Sequence, residues 1–273
     1  MRVFKYMTND SFEKSVFGGR VFLRASRMSD FNDPFEGSGT LKGNPSVTFA
    51  HEWLALRYLK DEASKDDATV QILCKANMLG AFGECTIFDE LVRVVSFCRA
   101  DINSSSDILM WSHYADSGKG VRLEFELDET QFPLKHVVYD APRPCLDLCK
   151  VEHCDVSRDT EFANFLYDCV LKKPQAWHYE CEQRLVLFLS HDSGRLHYIS
   201  PIDQYKPVLK RDYLIEVPSE CLKGIAIGPK IGHVGNAQDR MAAVRENGFA
   251  HVEFTRAILD DDYTYRYVNL FNE

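Results

Sequence analysis

The chain contains no apolar run of about 18 residues, so nothing in it predicts a membrane-spanning helix. Its opening, Met1-Arg2-Val3-Phe4-Lys5-Tyr6, lacks the apolar stretch of a secretory signal, which points to the cytosol. Basic excess is missing too: 32 lysines and arginines face 41 acidic residues, for a net charge of −9. A global positive field for gripping duplex nucleic acid is thereby excluded, although a local basic groove is not. No Gly-x-x-x-x-Gly-Lys-Ser/Thr run occurs, and the Gly118-Lys119-Gly120 turn does not make a P-loop. Repeats, low-complexity tracts and linkers are absent. The nine cysteines are odd in number and scattered, which argues against a disulfide framework and for reduced thiols. One dense group, Cys145, Cys149, His153 and Cys154, has the ligand chemistry of zinc but not a common finger spacing.

What is present is the composition of a globular domain, 45% hydrophobic and 27% charged over 273 residues. Strand patterns run from Val3 to Tyr6, Arg20 to Ala25, Leu91 to Cys98 and Val121 to Leu127, with further short ones at Tyr213 to Val217, Gly224 to Ile227 and His251 to Thr255. Helical spacing marks Asp10 to Val16, Phe49 to Glu62, Asp66 to Phe82, Asp107 to Tyr114, Arg158 to Lys173 and Asn236 to Glu246. Lys172 and Lys173 suit the C-terminus of their helix, and Pro174 stops it. Strands and helices mix without a βαβ rhythm. The expectation is a single α+β domain, with a mixed, largely antiparallel sheet and a helical insertion at about residues 49–90.

The strongest local signal is Trp177-His178-Tyr179-Glu180-Cys181-Glu182-Gln183-Arg184, followed by Leu185 to Leu189. As one strand it places His178, Glu180, Glu182 and Arg184 on one face. Two carboxylates one strand step apart repel each other, which favours keeping a proton on one of them. The bland alternative is a solvated face with a Glu182–Arg184 ion pair.

Four blocks stand in order: Lys5-Tyr6, then Phe31-Asn32-Asp33-Pro34-Phe35-Glu36, then Ser96-Phe97-Cys98 with Met110-Trp111-Ser112-His113-Tyr114-Ala115, and then the Glu180/Glu182 segment. Together they resemble a bacterial family classed as a domain of unknown function, with Phe-Asn-Asp-Pro-Phe-Glu, Met-Trp-x-x-Tyr-Ala and Tyr-Glu-x-Glu-x-Arg blocks. The resemblance spans residues 5 to about 228. The chain departs from it at Met7, where arginine is usual, and at Cys98, where a second serine is usual. The order of blocks is also similar to that of ADP-ribosyltransferase-type folds, which use a polar early strand, a serine on a central strand and a later Glu-x-Glu strand.

That similarity implies an enzyme acting on NAD as substrate, transferring ADP-ribose to a protein or nucleic acid acceptor or hydrolysing the glycosidic bond. Such a chain would serve as a toxin or anti-phage effector, with an antitoxin or immunity partner. Glycosidic cleavage builds positive charge on the ribose, which a buried carboxylate stabilises. Glu182 is the expected essential group and Glu180 its helper, with His113 a candidate base. Ser96 would hold the nucleotide or Glu182, and Tyr6, Trp111 or Tyr114 would stack on a ring. Lys5 or Arg24 would meet the diphosphate, and Arg184 completes the binding set. Two other classes fit the residues: a magnesium-dependent nuclease or phosphodiesterase using Asp33, Glu36, Glu180 and Glu182, and a non-catalytic binding or immunity protein.

Overall fold

A computed structural model describes residues 1–33, 35–57, 59, 61–83, 92–100, 104–192, 195–199, 214–232 and 234–272. The principal sheet is built from β1 (Arg2–Met7), β2 (Val92–Arg99), β3 (Val121–Glu126), β4 (Glu182–Asp192), β5 (Arg195–Ile199), β6 (Leu222–Ile227), β7 (Glu253–Leu259) and β8 (Tyr265–Asn269). Their order across the sheet is β5-β4-β2-β1-β3-β6-β7-β8. Neighbours run antiparallel except β6 and β7, which are parallel and joined by a helical crossover, as parallel neighbours require. The chain is thus an α+β protein with a mixed, largely antiparallel sheet.

Among the described residues the α-helices are α1 (Asn9–Ser15), α2 (Val47–Leu56), α3 (Asp67–Gly83), α4 (Ser104–Tyr114), α5 (Thr160–Leu171) and α6 (Val234–Glu246). Local chemistry sets several ends. The Ser46 hydroxyl accepts from Phe49 N at 3.0 Å and starts α2, which ends at Leu56, short of the expected Glu62. The Asp159 carboxylate accepts from Phe162 N at 3.0 Å and starts α5. Helix α5 ends at Leu171, so Lys172 and Lys173 leave the helix and form a short extended pair beside Val138–Tyr139. Among the described residues no helix is long and apolar enough to cross a membrane.

Period-two alternation in β1 feeds two cores. Val3 and Met7 enter a large apolar cluster with Phe97, Leu123, Phe125 and α6 residues Ala237 and Met241. Phe4 and Tyr6 face the other way, beneath Met110 and Trp111 of α4. Helices α2, α3 and α5 share a third cluster with Val92, Val94 and Phe188 of the sheet, so the helical stretch after residue 46 packs directly on the strands.

Candidate active site

A cleft opens where two adjacent strands part. Strand β1 pairs with β3 along its whole length, from Arg2↔Glu126 to Met7↔Val121. With β2 it pairs only at Val3↔Arg99 and Phe4↔Cys98. Further along β2, Ser26 takes over the pairing with Val94. Lys5 reaches across the gap, and its ammonium donates to the Ser96 carbonyl at 2.8 Å. The resulting cavity of about 100 Å³ is lined by Lys5, Tyr6, Ser96, Tyr114, Glu180 and Glu182, with Lys173 at its base. It falls well below the roughly 300–1,000 Å³ of clefts that enclose a whole small ligand.

The acids reach this cleft by a route the periodicity does not show. Residues Gln175–Glu180 form a tight 3₁₀ stretch, Cys181 is left-handed with φ of 44°, and the strand begins only at Glu182. The continuous strand expected from Trp177 to Arg184 is therefore broken. His178 is turned to the exterior, away from the expected shared face. Glu180 and Glu182 still converge, because the turn at Cys181 folds one back beside the other. Within β4 the alternation does hold, and Glu182 and Arg184 share a face.

The convergence is held by cations. Lys173 Nζ lies 2.6 Å from Glu180, 3.0 Å from Glu36 and 3.4 Å from Glu182. Arg184 grips Glu182 with both prongs, Nε to Oε1 and Nη2 to Oε2 at 2.8 Å each, and also bonds Glu36 and the Val170 carbonyl. All five of these side chains are at least nine-tenths buried. Aromatic rings cover both cations, Trp177 over Lys173 at 4.8 Å and Phe31 over Arg184 at 5.1 Å.

The two catalytic candidates consequently differ in proton affinity, which is lowered at Glu182 and raised at Glu180. Burial opposes ionisation of Glu182, but the Arg184 guanidinium and Lys173 ammonium outweigh it and hold the carboxyl at a pKa of about 2. Burial raises the pKa of Glu180, and the neighbouring Glu182 charge raises it further, against the pull of Lys173. Burial lowers Lys5 to about 8, with Glu182 opposing in part. The Tyr114 hydroxyl donates to Glu180, and burial together with that carboxylate pushes its pKa up. The Tyr139 hydroxyl accepts from the Glu182 backbone N–H at 2.9 Å, fixing the strand's first residue.

Of the residues expected at the site, Lys5, Tyr6, Ser96, Tyr114, Glu180 and Glu182 line the cleft. Arg184 stands behind it, fully buried, and supports Glu182 instead of facing a ligand. Three others lie elsewhere. Trp111 is wholly buried; its ring packs edge-on against Tyr6 at 5.4 Å, and its indole N–H donates to Tyr267. His113 is exposed and bonded to the Tyr179 hydroxyl at 2.7 Å. Arg24 is exposed, paired with Asp30 at 2.6 Å, and borders a separate depression. In each case strand or helix register turned the side chain away from the gap.

Lys173 and Glu36 are the residues the expectations missed as partners. Lys173 reads locally as a helix-terminal charge and Glu36 as part of a turn. A surplus of acids beside one arginine is the single sequence cue that a second buried cation was required.

Among the described residues no group of three His, Cys, Asp or Glu side chains is disposed to hold a metal ion. Cys145 and Cys149 are exposed, whereas His153 turns to Glu52 at 3.0 Å and Cys154 is buried. Asp33 accepts from Phe35 N at 3.0 Å, which braces the turn. Comparison of the chain with protein-family models, with curated proteins and with solved structures finds no match.

Proposed function

We propose that the cleft is the site of a glycosyl-transfer enzyme that uses NAD, either as an ADP-ribosyltransferase or as an NAD glycohydrolase. The observation that carries this reading is a pair of adjacent buried carboxylates pushed to opposite protonation behaviour, Glu182 down and Glu180 up. Pairs whose environments separate them in this way divide acid–base labour. Support also comes from position: the early-strand, central-strand and Glu-x-Glu residues singled out by block order line one gap in the sheet.

In the proposed reaction the bond between the ribose C1′ and the nicotinamide nitrogen breaks, and its electron pair leaves with the ring. Ionised Glu182, locked by Arg184 and Lys173, stabilises the cationic sugar carbon without reorganising. Glu180 takes the proton of the acceptor as the acceptor bonds to C1′. Water as acceptor gives hydrolysis, and a protein or nucleic acid group gives transfer. The proposal includes a toxin or anti-phage role, with an antitoxin or immunity partner. At about 100 Å³ the cavity cannot enclose a dinucleotide, so most of it must lie outside. The magnesium-dependent nuclease draws less support, because the Lys173 ammonium already fills the space between Glu36, Glu180 and Glu182.

The test is nicotinamide release from NAD, followed chromatographically. Glu182→Gln should abolish release while thermal unfolding stays cooperative. Undiminished release by that variant would remove the carboxylate mechanism.

A further inference from the structure

A second, larger cleft lies on the same face of the sheet, and Phe4 forms part of the wall of both. Its volume is about 440 Å³, within the range of small-ligand clefts. The floor is bare sheet, because β6 contributes Gly224 and Ala226 there. A Cβ on Gly224 would meet Glu124 Cβ at 3.3 Å, so glycine keeps that floor open. Tyr265 and Tyr267 of β8 form one wall.

Arg122 is preorganised in this cleft. Its guanidinium is sandwiched between the rings of Phe4 and Tyr267, at 4.1 and 4.0 Å, and Nη1 donates to the Tyr267 hydroxyl at 2.7 Å. The remaining charged groups are Arg2, paired with one oxygen of Glu124, Asp107, whose two oxygens accept from Tyr6 and Tyr267, and the exposed Glu253. Three acids against two guanidiniums disfavour a phosphate at this position. They favour hydroxyl and amino donors, and a carboxylate accepting from a ribose hydroxyl is a recurrent feature of nucleotide sites.

We propose that this second cleft is a nucleoside subsite, with the base on the Gly224/Ala226 floor beside the tyrosines and the ribose hydroxyls on the Glu253 and Glu124 carboxylates. Assigning that nucleoside to the adenosine end of NAD rests on the function proposed above; the cleft's capacity for a nucleoside does not. It supplies the space that the acid-lined cavity lacks.

The experiment titrates adenosine into the full chain and follows the backbone amides of Gly224 and Thr255 by NMR, alongside steady-state nicotinamide release. Adenosine should shift both amides in the native protein and equally in Glu182→Gln. Thr255→Trp, which fills the cleft, should erase the shifts and raise KM for NAD about tenfold or more with kcat little changed. Glu253→Ala, at an exposed strand position, should weaken adenosine binding and serves if the tryptophan variant fails to fold. Absence of the shifts in the native protein, or shifts and KM indifferent to both substitutions, would overturn the subsite. Adenosine shifts without nicotinamide release would leave the subsite standing and defeat the proposed function. Release with adenosine shifts absent and KM unmoved by either substitution would do the reverse.

Discussion

Around Lys173 the sheet buries three carboxylates with two cations, whereas around Tyr267 it buries one carboxylate and one guanidinium among neutral groups. In the second network Asp107 accepts from Tyr6 and Tyr267, and Tyr267 accepts in turn from Trp111 and Arg122. Both Asp107 oxygens there accept from tyrosine hydroxyls, and its one ionic neighbour, Arg122, lies at 3.6 Å with its charge balanced one to one. Around Lys173 charge meets charge directly, and acids outnumber bases. The surplus falls on Glu180, the one whose proton affinity rises. One sheet face thus carries a charge-unbalanced cluster beside a charge-balanced network.

The difference can be broken most severely at Arg184. Removing it in Arg184→Met leaves Lys173 alone against three buried carboxylates, for an expected loss of about 3–5 kcal/mol in urea unfolding. Arg184→Lys should recover little, because an ammonium cannot grip both oxygens of Glu182. The neutral network should be more forgiving. Tyr267→Phe leaves donors and acceptors unmet without stranding an ion, and should cost about 1–3 kcal/mol by the same measurement. A loss equal to that of Arg184→Met would mean that the two networks do not differ in kind.

Titration sharpens the contrast further. Glu182 has a folded pKa of about 2, below its ordinary value, so its contribution is present above the ordinary carboxylate range and is lost as pH falls toward 2. The acid limb of the stability–pH curve should therefore flatten in Glu182→Gln and persist in Tyr267→Phe. The smallest effect is expected at Lys5, whose folded pKa of about 8 lies below the ordinary 10.5. Its buried charge is a burden below pH 8 that is relieved as pH rises to 10.5. That alkaline gain should be missing from Lys5→Met in unfolding curves across this range.

Much of the fold was legible along the chain. Helix α3 spans Asp67–Gly83 against an expected Asp66 to Phe82, and β3 spans Val121–Glu126 against an expected Val121 to Leu127. These elements follow from periodicity and local capping, which are short-range. Strand β8 lies in the tyrosine-rich tail that carried no strand expectation, because its burial comes from pairing with β7. At the site the acids were legible as a charged pair, but their geometry was not. The left-handed turn at Cys181 has no glycine to announce it. Trp111 and His113 sit in one helical block, yet the helix buries the first and exposes the second.

The sequence by itself determined most of the helices and strands, such as α3 and β3, the α+β class, and the presence of Glu180, Glu182 and Arg184 close together. Those properties depend on neighbours a few residues away. Only the tertiary structure decided that β1 and β2 part after Phe4, that Lys173 leaves its helix to enter the acids, and that Glu36 meets Arg184 across 148 residues. Such pairings answer the energetic demand that buried charges find partners, and no local pattern records which distant residue will meet it.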